Sequence, residues 1–231
     1  MVLERAEKSI GVRFLNPALL EQALVHRSFL NEVTSFPLGS NERLEYLGDA
    51  VLELLVSDYL YQRFPSATEG ELTALRAAMV RAATLGRFAR EVHLGELLYL
   101  SRGEVEAGAR HRTRLLSQAF EAVIGALYLD QGLPVARDFV YRFIGPEADR
   151  LEARRDLLDA KSRLLEVVQS DIGITPEYRL LSMTGPGHRP FFSVEVRAGD
   201  RVIGTGKAHN KREAEQIAAA EALANWPKRR A

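Results

Sequence analysis

The stretch NERLEYLGDAVLELL, residues 41–55, sets three acids, Glu42, Glu45 and Asp49, three and four residues apart in a segment whose apolar residues return at helical spacing. On a helical wheel of about 100° per residue the acids fall within a sector of roughly 60°, opposite Leu44, Leu47, Val51, Leu54 and Leu55. Taken alone, this is the solvated side of an amphipathic helix. A second stretch asks for more. In LLSQAFEAVIGALYL, residues 115–129, Glu121 is the only charged side chain of a helix that is apolar nearly all round, the pattern of a buried helix. A lone carboxylate in such surroundings is costly unless it is paired or protonated. The nearest bases in sequence are Arg114 and Arg137, outside that stretch. A cation shared with Glu45 and Asp49 would account for both acid groups, and a Lys or Arg from another helix would instead make Glu121 half of a structural ion pair.

Working outward, residues 1 to about 150 read as helices throughout, in PALLEQALVHRSFL, AVLELLVSDYLYQRF and GELTALRAAMVRAATLGRFAREV as well as in the two acidic stretches. A charged segment, GPEADRLEARRD, follows as a linker or helical spacer, with the linker placed at 151–157. Beyond it the pattern changes to a short amphipathic helix, AKSRLLEVVQSDIG, then three strand candidates, EYRLLSMTG, PFFSVEVRAG and RVIGTGKA, and a closing alanine-rich helix, NKREAEQIAAAEALANW. Phe192, Val194 and Val196 alternate with Ser193, Glu195 and Arg197, as a half-buried strand requires. The expected fold is multidomain: an all-α domain over 1–150 and an α+β domain of order α-β-β-β-α over 158–227.

Composition narrows the chemistry. The chain has 231 residues, 46% of them hydrophobic and 27% charged, which suits a globular protein with a real core. It has no cysteine, which excludes disulfides and thiolate metal sites. With no apolar leader and no run of transmembrane length, a cytoplasmic location is expected. Formal net charge is zero: 12 Lys+Arg stand against 10 Asp+Glu from Asp156 onward, leaving 19 against 21 before it. A nucleic-acid contact must therefore come from local clusters and not from the global field. Carboxylates without thiolates favour a hard divalent ion such as Mg²⁺, with Mn²⁺ able to substitute, and carboxylate-held Mg²⁺ suits phosphodiester hydrolysis.

At this point the chain resembles bacterial ribonuclease III over nearly its whole length. NERLEYLGDAVL resembles that family's signature stretch, ALVHRSFLNE the segment before it and AFEAVIGALYLD its second acidic helix; GPGHRPFFSVEV and GKAHNKREAEQIAAAEAL resemble a double-stranded RNA-binding domain. The resemblance implies a homodimeric, Mg²⁺-dependent endoribonuclease that cuts double-stranded RNA to staggered ends with 5′-phosphate and 3′-hydroxyl, in processing of rRNA and mRNA precursors. It implies Asp49 and Glu121 as catalytic residues, Glu45, Gln118 and Glu121 as metal ligands, and Glu42 and Glu69 as supporting acids. Gln118 departs from the pattern, since the family usually has an aspartate there; the amide can ligate but brings no charge, so weaker metal affinity is expected. A relative silenced at Gln118, acting only as a double-stranded RNA-binding regulator, is the alternative. For RNA binding the resemblance implies Ser162, Glu166 and His188, with Lys207, Lys211 and Arg212 engaging phosphates; such domains span about 16 base pairs, reading A-form shape. GTGK at 204–207 lacks the spacing of a phosphate loop, and His26 is expected to be structural.

Overall fold

A computed structural model describes residues 2–186 and 190–227, with the backbone alone at 154–159. The chain divides into two compact units, Met1–Ala148 and Asp149–Ala231. The first is built of α1 (Val2–Ile10), α2 (Pro17–Ala23), α3 (Arg27–Glu32), α4 (Glu42–Arg63), α5 (Glu69–Val80), α6 (Ala82–Glu91), the short α7 (Leu94–Leu97) and α8 (Arg102–Glu106), a 3-10 turn at Ala109–His111, and most of α9 (Thr113–Ile172). The helical backbone runs through 151–157, so the expected linker takes the form of a helical spacer. α9 is two helical segments meeting at Gly132, whose φ of 78° suits glycine, with Pro134 just beyond to start the next segment.

Helix starts follow local chemistry. Asn16 caps α2 ahead of Pro17, and Thr68 and Glu71 form a reciprocal capping box that places Glu69 in the first turn of α5. The core of the first unit centres on Phe88, Phe120, Phe139 and Phe143, whose neighbouring rings lie 5.2 to 5.8 Å apart. Burying each such side chain stabilises by about 1.5–3 kcal/mol. Phe120 belongs to α9, so this cluster fixes the helix that carries Gln118 and Glu121.

α4 corrects one expectation. Leu44, Gly48, Val51, Leu52, Leu55, Val56 and Leu60 are buried, whereas Leu54, expected on the core side, is 56% exposed. The buried arc is turned toward the acids, which therefore border the packed face instead of opposing it. Tyr46 and Tyr61 are exposed on the outside of the same helix.

The second unit is a three-stranded antiparallel sheet in the order β1 (Glu177–Thr184), β2 (Phe191–Ala198), β3 (Arg201–Ala208), packed against the end of α9 and α10 (Lys211–Asn225). Val194 and Val196 are fully buried and pair with Gly206 and Gly204 of β3. A Cβ on Gly204 would lie 2.3 Å from the carbonyl oxygen of Ala218, and one on Gly206 2.1 Å from that of Ala214. The GTGK stretch is thus a strand whose glycines seat an alanine-rich helix. Trp226 closes the unit by donating its indole N–H to Asp171 at 2.7 Å.

Candidate active site

The site is made by one helix crossing. α4 and α9 approach so closely that a Cβ on Gly48 would stand 1.8 Å from the carbonyl oxygen of Glu121, and one on Gly125 2.2 Å from that of Leu44. Only glycine permits such backbone contact. Glu45 and Asp49 flank Gly48 on α4, while Gln118 and Glu121 lie one turn apart on α9, so the crossing draws the four side chains together. The entry of α4 is pinned as well: the buried Asn41 donates its side-chain amide to Ala23 O at 3.3 Å and its backbone N–H to Val25 O at 2.8 Å, while its carbonyl accepts from Glu45 N–H at 2.8 Å.

Gln118 donates Nε2 to Oε1 of Glu45 at 2.9 Å. Glu121, half-buried, makes no side-chain hydrogen bond or ion pair among the described residues. Burial first, then the charges of Asp49 and Glu45, push its carboxyl up to about 8 from an ordinary 4.5. A cation placed among Glu45, Asp49 and Glu121 would relieve the crowding of negative charge about the Glu121 carboxyl. Among the described residues, however, no three His, Asp or Glu side chains are gathered tightly enough to hold a metal by themselves. Glu45, Glu121 and, with its amide turned, the Gln118 oxygen are the donors that could hold one, and water would complete the set.

Glu42 is exposed; it accepts from the Ser40 hydroxyl at 2.9 Å and lies 3.6 Å from Arg27. It lines, with Glu45 and Gln118, a cleft of about 520 Å³ to which Arg27, Arg112 and Arg114 also contribute. Sequence reasoning places none of these three guanidiniums in the site; the signal for Arg114 is its spacing of four from Gln118. Glu69 is not brought to this cleft. It is exposed, accepts from the Thr73 hydroxyl at 3.1 Å, and lines a separate hollow of about 470 Å³ with Tyr61 and Arg76. His26 caps α3, its Nδ1 within 2.8 Å of the Ser28 hydroxyl, and burial lowers its pKa.

In the second unit Ser162 and Glu166 are exposed four residues apart on α9, and Lys207, Lys211 and Arg212 are exposed where β3 ends and α10 begins. Asn210 caps α10 by accepting from Glu213 N–H at 2.8 Å. His188 lies outside the described residues.

Carboxylates gathered at a helix crossing in one unit and an α-β-β-β-α fold in the other occupy one chain, and its similarity to known proteins gives the class, a double-stranded RNA endoribonuclease. Residues 16–148 match the ribonuclease-III-like family model and residues 160–225 the double-stranded RNA binding motif. "Ribonuclease 3" of Dehalococcoides mccartyi is 45% identical over 221 residues, covering 96% of this chain and 93% of that one. "Ribonuclease 3" of Roseiflexus sp. is 49% identical over 216 residues, covering 93% and 91%. The crystal structure of the ribonuclease III nuclease domain from Campylobacter jejuni superposes with a TM-score of 0.57 at 38% identity, covering 62% of this chain and 94% of that one. The chain belongs to the ribonuclease III family. Among the described residues, no helix is long and apolar enough to cross a membrane.

Proposed function

We propose that the protein cleaves double-stranded RNA in a Mg²⁺-dependent reaction at the crossing of α4 and α9, leaving staggered ends with 5′-phosphate and 3′-hydroxyl. The observation that carries this reading is Glu121: a half-buried carboxyl pushed to about 8 by burial and by Asp49 and Glu45 gains most from a cation placed among them. Bound there, a divalent ion would supply an activated water and charge neutralisation at phosphorus. Glu45 and Glu121 would hold the ion with the Gln118 amide oxygen, and Asp49 and Glu121 would take the catalytic roles. Glu42 holds Arg27 at the cleft rim, while Glu69, in its separate hollow, supports RNA only at a distance from the acids.

The duplex is held by the second unit, with Ser162 and Glu166 toward the minor groove and Lys207, Lys211 and Arg212 on phosphates. The enzyme acts as a homodimer in the cytoplasm, on rRNA and mRNA precursors. Support for the dimer comes from the exposed Tyr46, Leu54 and Tyr61 on α4 and from a related Campylobacter jejuni nuclease domain described as having a region involved in dimer formation. Two-fold symmetry suits the two strands of a duplex.

The decisive experiment is a Mg²⁺ titration with a labelled RNA duplex, with Glu121→Ala alongside. Wild-type cuts that vanish in the variant, by about 10³-fold or more, are expected. Duplex that shifts on a native gel yet stays intact would favour the second reading, a binder silenced at Gln118, whose amide hydrogen bond to Glu45 is the observation in its favour.

A further inference from the structure

We propose that Arg114 holds a backbone phosphate of the duplex beside the acid cluster, in the cleft that Glu45 and Gln118 share with it. This rests on the proposed cleavage of duplex RNA at α4 and α9, and adds a substrate-binding residue to it.

Three guanidiniums line the cleft, and they are not equivalent. Arg27 lies 3.6 Å from the Glu42 carboxylate, and Arg112 lies 3.1 Å from that of Glu104. Either would have to give up its partner to receive a phosphate. Arg114 makes no side-chain ion pair or hydrogen bond among the described residues, and its side chain is exposed, so nothing competes for its fork of donors. A guanidinium in that state is suited to bidentate contact with a phosphate.

Position matters as much as availability. Arg114 and Gln118 are four residues apart on α9, hence on one face and about 6 Å apart along the axis. Gln118 is itself engaged with Glu45, the acid that faces it. The guanidinium therefore sits one turn from the acids, a displacement comparable to that between neighbouring phosphates of a strand.

Charge supplies the reason for such a residue. A phosphate entering this cleft meets the carboxylates of Glu42, Glu45 and Glu104, and repulsion is less screened at the half-buried Glu45 than in open solvent. The neutral Gln118 removes one possible carboxylate from the row, and Arg114 adds a positive charge at the next turn. Together they make this face of α9 more tolerant of a polyanion than an acidic residue at 118 would.

The test uses the full chain, with Arg114→Ala and Arg114→Lys, and an RNA duplex of about 30 base pairs, long enough for both units. Binding is measured in EDTA across a salt series, so that no cleavage occurs and no metal contributes. Arg114→Ala is expected to weaken binding roughly five- to tenfold at ~0.15 M salt, and to lower the slope of log K against log salt by about one, as loss of one phosphate contact requires. Arg114→Lys should keep that slope, because it keeps the charge. In Mg²⁺ the alanine variant should raise KM by a similar factor.

An unchanged Kd and slope would overturn the proposal, as would a loss confined to kcat, which would assign Arg114 to the chemical step. Equal melting temperatures of the three proteins exclude misfolding. Wild type that binds but never cuts would remove the cleavage reading and this proposal with it, whereas wild type that cuts beside an indistinguishable Arg114→Ala would remove this proposal alone.

Discussion

Glycine does the same geometric work in both halves of the molecule, with opposite electrical results. In the second unit Gly204 and Gly206 let α10 lie against β3, and what meets there is Ala214, Ala218 and Ala222, all buried and apolar. In the first unit Gly48 and Gly125 let α4 and α9 touch, and what meets beside them is Glu45, Asp49 and Glu121. One contact is satisfied by packing alone. The other packs only by bringing like charges about the half-buried Glu121 carboxyl. Close packing therefore serves stability in the RNA-binding unit and stores an electrostatic demand in the nuclease unit.

The largest expected effect breaks this comparison at its root. Gly48→Ala would force a methyl group to 1.8 Å from a backbone oxygen, and Gly206→Ala one to 2.1 Å. Overpacking of this kind costs about 1–3 kcal/mol and more where backbone must move. Each kcal/mol lowers melting by about 2–4 °C in a chain of this size. Both variants should melt earlier. They should differ in function: Gly48→Ala separates Glu45 from Glu121 and loses cleavage, while Gly206→Ala loosens the RNA-binding unit and weakens duplex affinity, with cuts persisting at high RNA concentration. Cleavage that survives Gly48→Ala at wild-type rate would show that the crossing does not set the site.

Much of this was legible beforehand, and the failures have a physical pattern. Strand and helix order followed from period-2 alternation in β2 and from helical spacing elsewhere, because those periods report which face is buried. The pairing of Glu121 with Glu45 and Asp49 followed from the cost of isolating a carboxylate among apolar residues. Leu54 was misplaced because a wheel centred on the acids assumes that charge and core are opposed, whereas the α9 contact turns the buried arc of α4 toward them. The roles of Gly48 and Gly125 could not be read, since a glycine's contact depends on the partner helix. Arg114 was noticed only as a base too far along the chain to pair with Glu121; its place in the cleft depends on α3 and α8 being folded nearby.

A smaller effect sharpens the comparison through pH. Glu121 titrates at about 8 in the folded protein against 4.5 ordinarily, so the folded state binds its proton more tightly than the unfolded one. The corresponding stability is fully present below pH 4.5 and is lost as pH rises through 8. Metal-free protein in EDTA should therefore melt at progressively lower temperature from pH 5 to pH 9. Glu121→Gln should flatten that fall, and a duplicate series on Gly206→Ala should not. If the glutamine variant keeps the full pH slope, the carboxylates are not crowded as described.

The smallest effect concerns Gln118, where the two halves differ most subtly. In the second unit the Asn210 amide caps α10, accepting from Glu213 N–H at 2.8 Å and donating to the exposed Glu213 carboxylate at 3.0 Å, a carboxylate with no second acid crowded against it in that bond. Gln118 uses its amide to hold Glu45 at 2.9 Å, and that bond competes with whatever cation Glu45 would hold. Gln118→Asp removes the donor and sets a carboxylate against Glu45. The metal-free variant should melt a few degrees earlier in EDTA, and the loss should be recovered on adding Mg²⁺, because the added charge is then neutralised. Half-saturation by Mg²⁺, followed by melting temperature so that cleavage is not the readout, should occur at roughly tenfold lower concentration, equivalent to about 1.4 kcal/mol. An unaltered midpoint would mean that the amide of Gln118 gives way to the ion without cost, and that the charge of the site is set by Glu45, Asp49 and Glu121 alone.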